Sequence, residues 1–370
     1  LWNFRRNVIQ AFAEQGWQVL VVAPEDESTT RLRKLPAVTW RDWQVSLDGA
    51  NALEEFGSLR RLFLRLSHDR PDVMLNNGIK ANLYGGLACR LLGIPYVNNV
   101  SGLGTRMARP GVGARVLGGL SAFACSGGTA LLIQNEDDLA FLRSHGLSPR
   151  LPIHRTMGSG VDLAHFKAMP LPADSPACFC FVGRLQRDKG IYDFVKAARA
   201  LQKEKPETRF LVVGDATHTN AGGVAAETLQ EWCAENLFEF VGRQEDVRPS
   251  LNRAHVLVMP SHGGEGMPKV ILEAAACGRP TITSDSPGCR DAIVEGKTGW
   301  LHRPRDTSDL LAKMREAAGT PAPRLAEMGR AARQHAESHF SDTEISTLTI
   351  DLARLAILVS QFDRPDRKGK

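Results

Sequence analysis

PSHGGEGMPKVILEAAACGRPTITSD, residues 260–285, is the stretch on which the fold is read. Val258, Met259 and Pro260 close an apolar run, Gly263, Gly264 and Gly266 supply a flexible loop, and Pro268 stands where a helix would begin. The segment therefore reads as strand, glycine loop, helix. Two carboxylates, Glu265 and Glu273, flank the loop-to-helix passage with seven residues between them. Eight positions at about 1.5 Å rise put them roughly 12 Å apart at most on a fully helical path, about the span of a ribosyl diphosphate. Solvated surface acids would be an equally good reading of that spacing alone. The surroundings decide otherwise, because Ile271, Leu272, Ala274, Ala275 and Ala276 leave Glu273 as the lone acid of an apolar helix, and such an acid wants a partner. Ribose hydroxyls suit a carboxylate that can accept two hydrogen bonds. Backbone N–H groups and the positive dipole end at the helix start favour a diphosphate between the two acids.

Working outward, the same alternation recurs along the chain. Strand-like apolar runs at 18–23, 72–76, 95–100, 130–134 and 153–157 are followed by a second set at 177–182, 209–213, 238–241, 256–259 and 280–284. Each run is separated from the next by helix or loop signals, the pattern of parallel βαβ units. The fold class expected is α/β, with two Rossmann-like domains. The three prolines of KAMPLPADSP, 167–176, break both periodicities, so the first domain is placed at 1–168 and the second at 169–342. A helix over 343–362 would pack back on the first domain, and 363–370 would be a flexible tail.

The Glu265 to Glu273 spacing resembles the acidic signature of retaining glycosyltransferases of family 4, which have the GT-B fold. CFVGRLQRDKG, 180–190, resembles the strand and loop by which that family brings an Arg and a Lys to a donor diphosphate. The resemblance implies that Arg184 and Lys189 hold the diphosphate, Glu273 the ribose and Glu265 the donor sugar. Gly183, Gly266, Met267 and Lys269 would lie along the donor. Gly242 and Arg243 in FVGRQEDV, 240–247, resemble the loop that reads uracil. SGLG (101–104), IQNEDD (133–138), GSGVD (158–162) and PGCRDAI (287–293) resemble the capsular and lipid-linked-oligosaccharide branch. There Ser101, Gly102, Asn135 and Asp162 are either acceptor-side contacts or plain turn and cap residues. Branch members move sugar from a UDP-sugar to an acceptor on undecaprenyl diphosphate at the cytoplasmic face of the membrane. No cofactor beyond the donor is implied, and no Asp-x-Asp pair is present to hold a divalent ion. The family opens on a strand and a glycine-rich loop, whereas LWNFRRNVIQAFAEQGWQV, 1–19, already reads as its first helix, so a first strand is expected to be missing.

Composition bounds the alternatives. The chain has 370 residues, 43% hydrophobic and 24% charged, enough for two ordinary domains. Its net charge of +5 lies wholly in the first half, where residues 1–170 hold 19 Lys and Arg against 14 Asp and Glu. A basic half fits attraction to an anionic membrane surface. SLRRLFLRLSHDR, 58–70, fits either a buried amphipathic helix or an interfacial one, core packing being the commoner fate. No uninterrupted apolar window suggests a membrane-spanning helix, and no signal peptide is expected. With 6% aromatic residues and no basic run interleaved with aromatics, nucleic acid is a poor partner. Seven cysteines without a CxxC pair read as reduced thiols. VVGDATHTNAGG, 212–223, lacks the GxGxxG of a dinucleotide dehydrogenase. A GT-B sugar-nucleotide epimerase and a non-catalytic nucleotide-sugar-binding protein stay open.

Overall fold

The computed structural model describes residues 2–45, 52–104, 111–172, 177–216 and 222–362. They form two compact units, one of residues 1–159 with 342–370 and one of residues 160–341.

In the first unit β1 (Val19–Ala23) pairs in parallel with β2 (Val38–Asp42), and β3 (Met74–Asn77), β4 (Tyr96–Val100), β5 (Ala130–Ile133) and β6 (Ile153–Arg155) form a separate parallel sheet in that order. Every residue of β4 and β5 is buried, as expected of strands covered on both faces. The helix Val112–Ser126 packs Ala122 and Cys125 on the face carrying Leu131 and Ile133. On the other face Leu352 and Ala356 of the helix Asp342–Phe362 meet Val97, Ala130 and Leu132. The helix Trp2–Glu14 sets Phe12 against both Val19 of β1 and Leu75 of β3, which do not pair with each other. The basic segment at 58–70 lies in the helix Ala52–Asp69, where Leu62 and Leu66 are buried in the core with Trp43 and Tyr84.

The second unit is one six-stranded parallel sheet. Its strands are β7 (Cys178–Val182), β8 (Arg209–Val213), β9 (Glu239–Gly242), β10 (Val256–Met259), β11 (Thr281–Ser284) and β12 (Gly299–His302), in the order β12-β11-β10-β7-β8-β9. Phe179 and Phe181 of β7 and Val256 and Val258 of β10 anchor a core shared with Phe194, Leu201 and Leu310. The order reverses between β7 and β10: from β7 the chain moves outward to β8 and β9, then returns to β10 on the other side. The carboxyl ends of β7 and β10 thus mark the switch point, and that is where open α/β sheets hold ligands.

Several expectations are corrected. The units divide at Ser159 and Gly160, not at 168, because residues 160–172 are strapped to the second unit. Val161 N–H donates to Phe340 O at 2.7 Å, and Met169 N–H donates to Cys277 O at 3.3 Å. The fully buried Arg279 donates to Met169 O at 2.7 Å and to Pro170 O at 2.9 Å. The prolines end periodicity, but buried donors decide which unit holds the segment. Strands β2 and β12 were not expected; the first is largely exposed and the second is four residues, GWLH. Among the described residues one helix, Asp342–Phe362, is long and apolar enough to cross a membrane by length and composition alone. Its polar residues interrupt the run, and its Ile350, Leu352, Ala353 and Ala356 are buried in the first unit. All seven cysteines are free thiols, six of them buried.

Candidate functional site

Three glycines lie side by side at the carboxyl ends of β7, β8 and β9. Gly183 N–H donates to Val213 O and Gly214 N–H to Gly242 O, each at 3.0 Å. A Cβ on Gly214 would stand 1.9 Å from Gly183 O, so no side chain fits between these loops. Arg184, next in the chain, is exposed, with no ion-pair partner among the described residues. Arg243 is likewise exposed beside Gly242.

Across the switch point, the loop after β10 is drawn onto the loop after β7. His262 N–H donates to Asp188 O at 2.9 Å and Ser261 Oγ to the same carbonyl at 3.2 Å. Gly190 has a φ of +78°, and a Cβ there would stand 2.3 Å from Pro260 O. These contacts bring Lys189 Nζ into an ion pair with Glu265, whose other carboxylate oxygen accepts from Ser261 Oγ at 2.9 Å. The lysine is nearly enclosed, with 6% of its side chain exposed, and Glu265 is the wetter partner at 29%. From β11, Ser284 and Ser286 donate to Ser261 O, and Gly288 lies so close that its Cβ would overlap Gly266 O. Arg184, Lys189, Gly183, Glu265, Gly266 and Gly242 therefore share one edge of one sheet. Ser261 and Gly288 were not expected there; their contacts join loops more than twenty residues apart, which no local pattern reports.

Pro268 precedes the helix Lys269–Ala276, so the path from Glu265 to Glu273 is part loop and the fully helical estimate of their separation does not apply. Met267 is buried and Lys269 opens the helix. Glu273 is half-buried on that helix, and no hydrogen bond or ion pair to its carboxylate occurs among the described residues. Burial pushes its carboxyl up to about 7, with Lys269 pulling down and Asp246 pushing up by lesser amounts. A carboxylic acid held neutral in an apolar setting is ready for a partner that donates hydrogen bonds.

Of the remaining expected residues, Ser101, Gly102 and Asn135 belong to the first unit and Asp162 to the second. Asn135 caps the helix Glu136–Ser144: its Oδ1 accepts from Asp138 N at 2.8 Å and its amide donates to Asp138 Oδ2 at 2.8 Å. Asp162 accepts from Ala164 N and His165 N at 3.0 and 2.8 Å in a tight turn. Those bonds fix both side chains in local structure. Ser101 and Gly102 follow β4 in the first unit, Gly102 with a φ of +108°.

Residues 2–155 match the family described as Glycosyl transferase 4-like domain, and residues 176–319 match Glycosyl transferases group 1. The N,N'-diacetylbacillosaminyl-diphospho-undecaprenol alpha-1,3-N-acetylgalactosaminyltransferase of Campylobacter jejuni is 26% identical over 333 residues, 85% of this chain and 85% of that enzyme. Among solved structures, sucrose-phosphate synthase of Thermosynechococcus elongatus superposes with a TM-score of 0.79 at 20% identity, covering 96% of this chain and 93% of that one. Anabaena HepE in complex with UDP-glucose gives a TM-score of 0.74 at 17% identity, covering 94% of each chain. The fold is GT-B.

Proposed function

We propose, from the premise that the chain belongs to the GT-B glycosyltransferases, that it moves a hexose or N-acetylhexosamine from a UDP-sugar to an undecaprenyl-diphosphate-linked sugar. The reaction would retain anomeric configuration, need no divalent metal, and take place at the cytoplasmic face of the membrane in building a surface polysaccharide or glycan. The observation that carries the reading is the convergence of Lys189, Glu265 and Arg184 on a glycine-built edge at the sheet's switch point. The lipid-linked acceptor is supported by the name of the Campylobacter relative, and the UDP donor by the ligand of HepE.

In this reading Glu273 accepts hydrogen bonds from the ribose hydroxyls, and main-chain groups near Gly242 meet the base. Arg184 and Lys189 face the diphosphate. As the glycosidic bond breaks, negative charge grows on the departing nucleoside diphosphate, and fixed cations stabilise it more than they stabilise the bound donor. Lys189 is the stronger of the two because its ammonium is largely shielded from water. Before the donor arrives, Glu265 balances that charge, and Ser261 holds the carboxylate in place beside the donor sugar. Neither carboxylate is given a covalent role.

The test is transfer from radiolabelled UDP-hexoses and UDP-N-acetylhexosamines to undecaprenyl-diphosphate sugars, with Glu273→Ala and Arg184→Ala beside the unaltered chain. Label entering the lipid fraction with the unaltered chain, and lost with both variants, is the expected result. Conversion or hydrolysis of the UDP-sugar with no acceptor present would point instead to an epimerase, and UDP binding without transfer to a non-catalytic protein.

A further inference from the structure

One cation of the first unit stands where an apolar side chain is expected. On the helix Trp2–Glu14, Ile9 and Phe12 are buried and Val8 packs beside Phe12. Position 5 continues that stripe one turn toward the start of the helix, being three, four and seven residues before them. It holds Arg5, which is half-buried. Burial pulls its guanidinium down to about 10, and no carboxylate pairs with it among the described residues.

What Arg5 meets instead is an amide. Its Nη1 and Nη2 donate to Asn99 Oδ1 at 3.1 and 3.2 Å once that amide is turned with its oxygen toward the donors. Asn99 is clamped in turn: its N–H donates to Asn82 Oδ1 at 3.1 Å, and Asn82 Nδ2 donates to Asn99 O at 2.8 Å. Beside it, in register, Asn76 Nδ2 of β3 donates to Asn98 Oδ1 of β4 at 2.8 Å, and Asn98 Nδ2 donates to Cys125 Sγ at 3.3 Å. The four asparagines are no more than 5% exposed. Every member of this network is neutral, since burial pushes the Cys125 thiol up to about 11. Acids beside it have other partners: Asp342 accepts from Asn7, and Glu55 from Lys80 and Tyr84. The network lies at the carboxyl ends of β3 and β4, where parallel sheets hold ligands.

A guanidinium withdrawn from water with only an amide oxygen against it is costly to keep. Packing alone would be served as well by an apolar side chain at position 5. What the charge lacks is an anion, and the planar fork suits two oxygens on one centre, as in a phosphate or a carboxylate. We infer that Arg5, oriented by Asn99, forms an oxyanion subsite of the first unit that takes a phosphate or carboxylate carried by the acceptor. As an anion site it stands on the geometry of Arg5 and Asn99; that the acceptor carries the anion rests on the reaction proposed above. Arg184 and Lys189 belong to the other unit, so the two sites are separable by mutation.

The experiment is calorimetric titration of inorganic pyrophosphate, and separately of glucuronate, into the whole chain saturated with UDP, so that the donor-side cations are occupied. Arg5→Met and Arg5→Lys are titrated beside it, and all three are melted. One of the two anions should bind the unaltered chain, pyrophosphate if the acceptor's phosphates are the source and glucuronate if an acidic sugar is. Arg5→Met should weaken that binding about tenfold or more, the scale of a lost charge-assisted pair. Its UDP affinity should be unchanged and its melting temperature equal or higher, because an uncompensated buried charge is gone. The inference is overturned if neither anion binds, or if Arg5→Met binds it as the unaltered chain does. An Arg5→Met chain that melts lower, with Arg5→Lys restoring the melting temperature but not the anion, would make Arg5 a structural clamp on Asn99. A tenfold loss of UDP affinity in Arg5→Met would assign the anion to the donor instead. If the unaltered chain binds no UDP, the proposed reaction fails on its own, and the same titrations without UDP still decide the subsite.

Discussion

Glu273 is where the chemistry is most exposed to measurement. Its carboxyl titrates near 7 when folded against an ordinary 4.5, and burial is the cause. Between those values the folded chain keeps this proton and the unfolded chain does not, so the contribution of Glu273 to stability is greatest below about pH 4.5 and is lost as pH rises through about 7. The total loss is about 3 kcal/mol. Glu273→Gln should flatten that slope, as urea denaturation at pH 5 and pH 8 would show; an unchanged slope would mean that another group titrates. The ionised carboxylate accepts hydrogen bonds from ribose hydroxyls more strongly than the neutral acid does, so UDP should bind more tightly as pH rises through about 7, and the glutamine variant should lose this dependence. On the proposed reading, the effect of Lys189 belongs to the transition state. Lys189→Met should lower kcat by about a hundredfold or more, the scale of removing one fixed charge-stabilising group, with a smaller change in UDP affinity. Equal losses in both would make Lys189 a ground-state contact. The glycine-punctuated loops that carry Arg184, Lys189 and Glu265, and the helix that carries Glu273, were legible in the sequence. The pairing of Lys189 with Glu265 was not, since it depends on hydrogen bonds from Ser261 and His262 to Asp188 across two strands.

Among the elements, the close-packed turns matter more than the strands they join. Gly190 and Gly288 combine positive φ with a carbonyl where a Cβ would sit, 2.3 Å and 1.2 Å away. Gly296 has a φ of +70° but open space around it. Gly288→Ala and Gly190→Ala should therefore each cost about 2–4 kcal/mol and weaken UDP binding, whereas Gly296→Ala should cost about 1 kcal/mol and leave UDP binding alone. Chemical denaturation with UDP titration of the three variants separates strain from site geometry; similar effects at all three positions would show that the loops have room to shift. Strands β7 and β10, buried and apolar throughout, and β8, apolar after Arg209, were readable because strands covered on both faces are continuous apolar runs. β2 was not, because Val38–Asp42 buries only Trp40 and offers neither a continuous run nor a clean alternation. β12 carries a glycine where a Cβ would stand 2.0 Å from Thr281 O, a constraint visible only once β11 is beside it.

For the whole molecule, the chain that leaves the second unit returns to complete the first. Leu352 and Ala356 bury Val97, Ala130 and Leu132, and Ile350 and Ala353 meet Phe12. Ending the chain after Ser341 should uncover that face: the first unit should melt at lower temperature and become sensitive to protease, while UDP binding persists because every residue proposed to hold the donor lies in 160–341. Loss of both properties together would mean that the units fold as one. The boundary itself was misread by about nine residues because proline marks where periodicity stops, whereas Arg279 and Val161 show where the chain is tied. The most direct measurement is calorimetric titration of UDP into the unaltered chain, Glu273→Ala and Arg184→Ala, with Glu344→Ala as a control on the first unit. Affinity lost by at least tenfold in the first two variants and kept in the control is the expected result. Equal UDP affinity in all four, or no UDP binding by the unaltered chain, would contradict a nucleotide-sugar site at the carboxyl edge of this sheet.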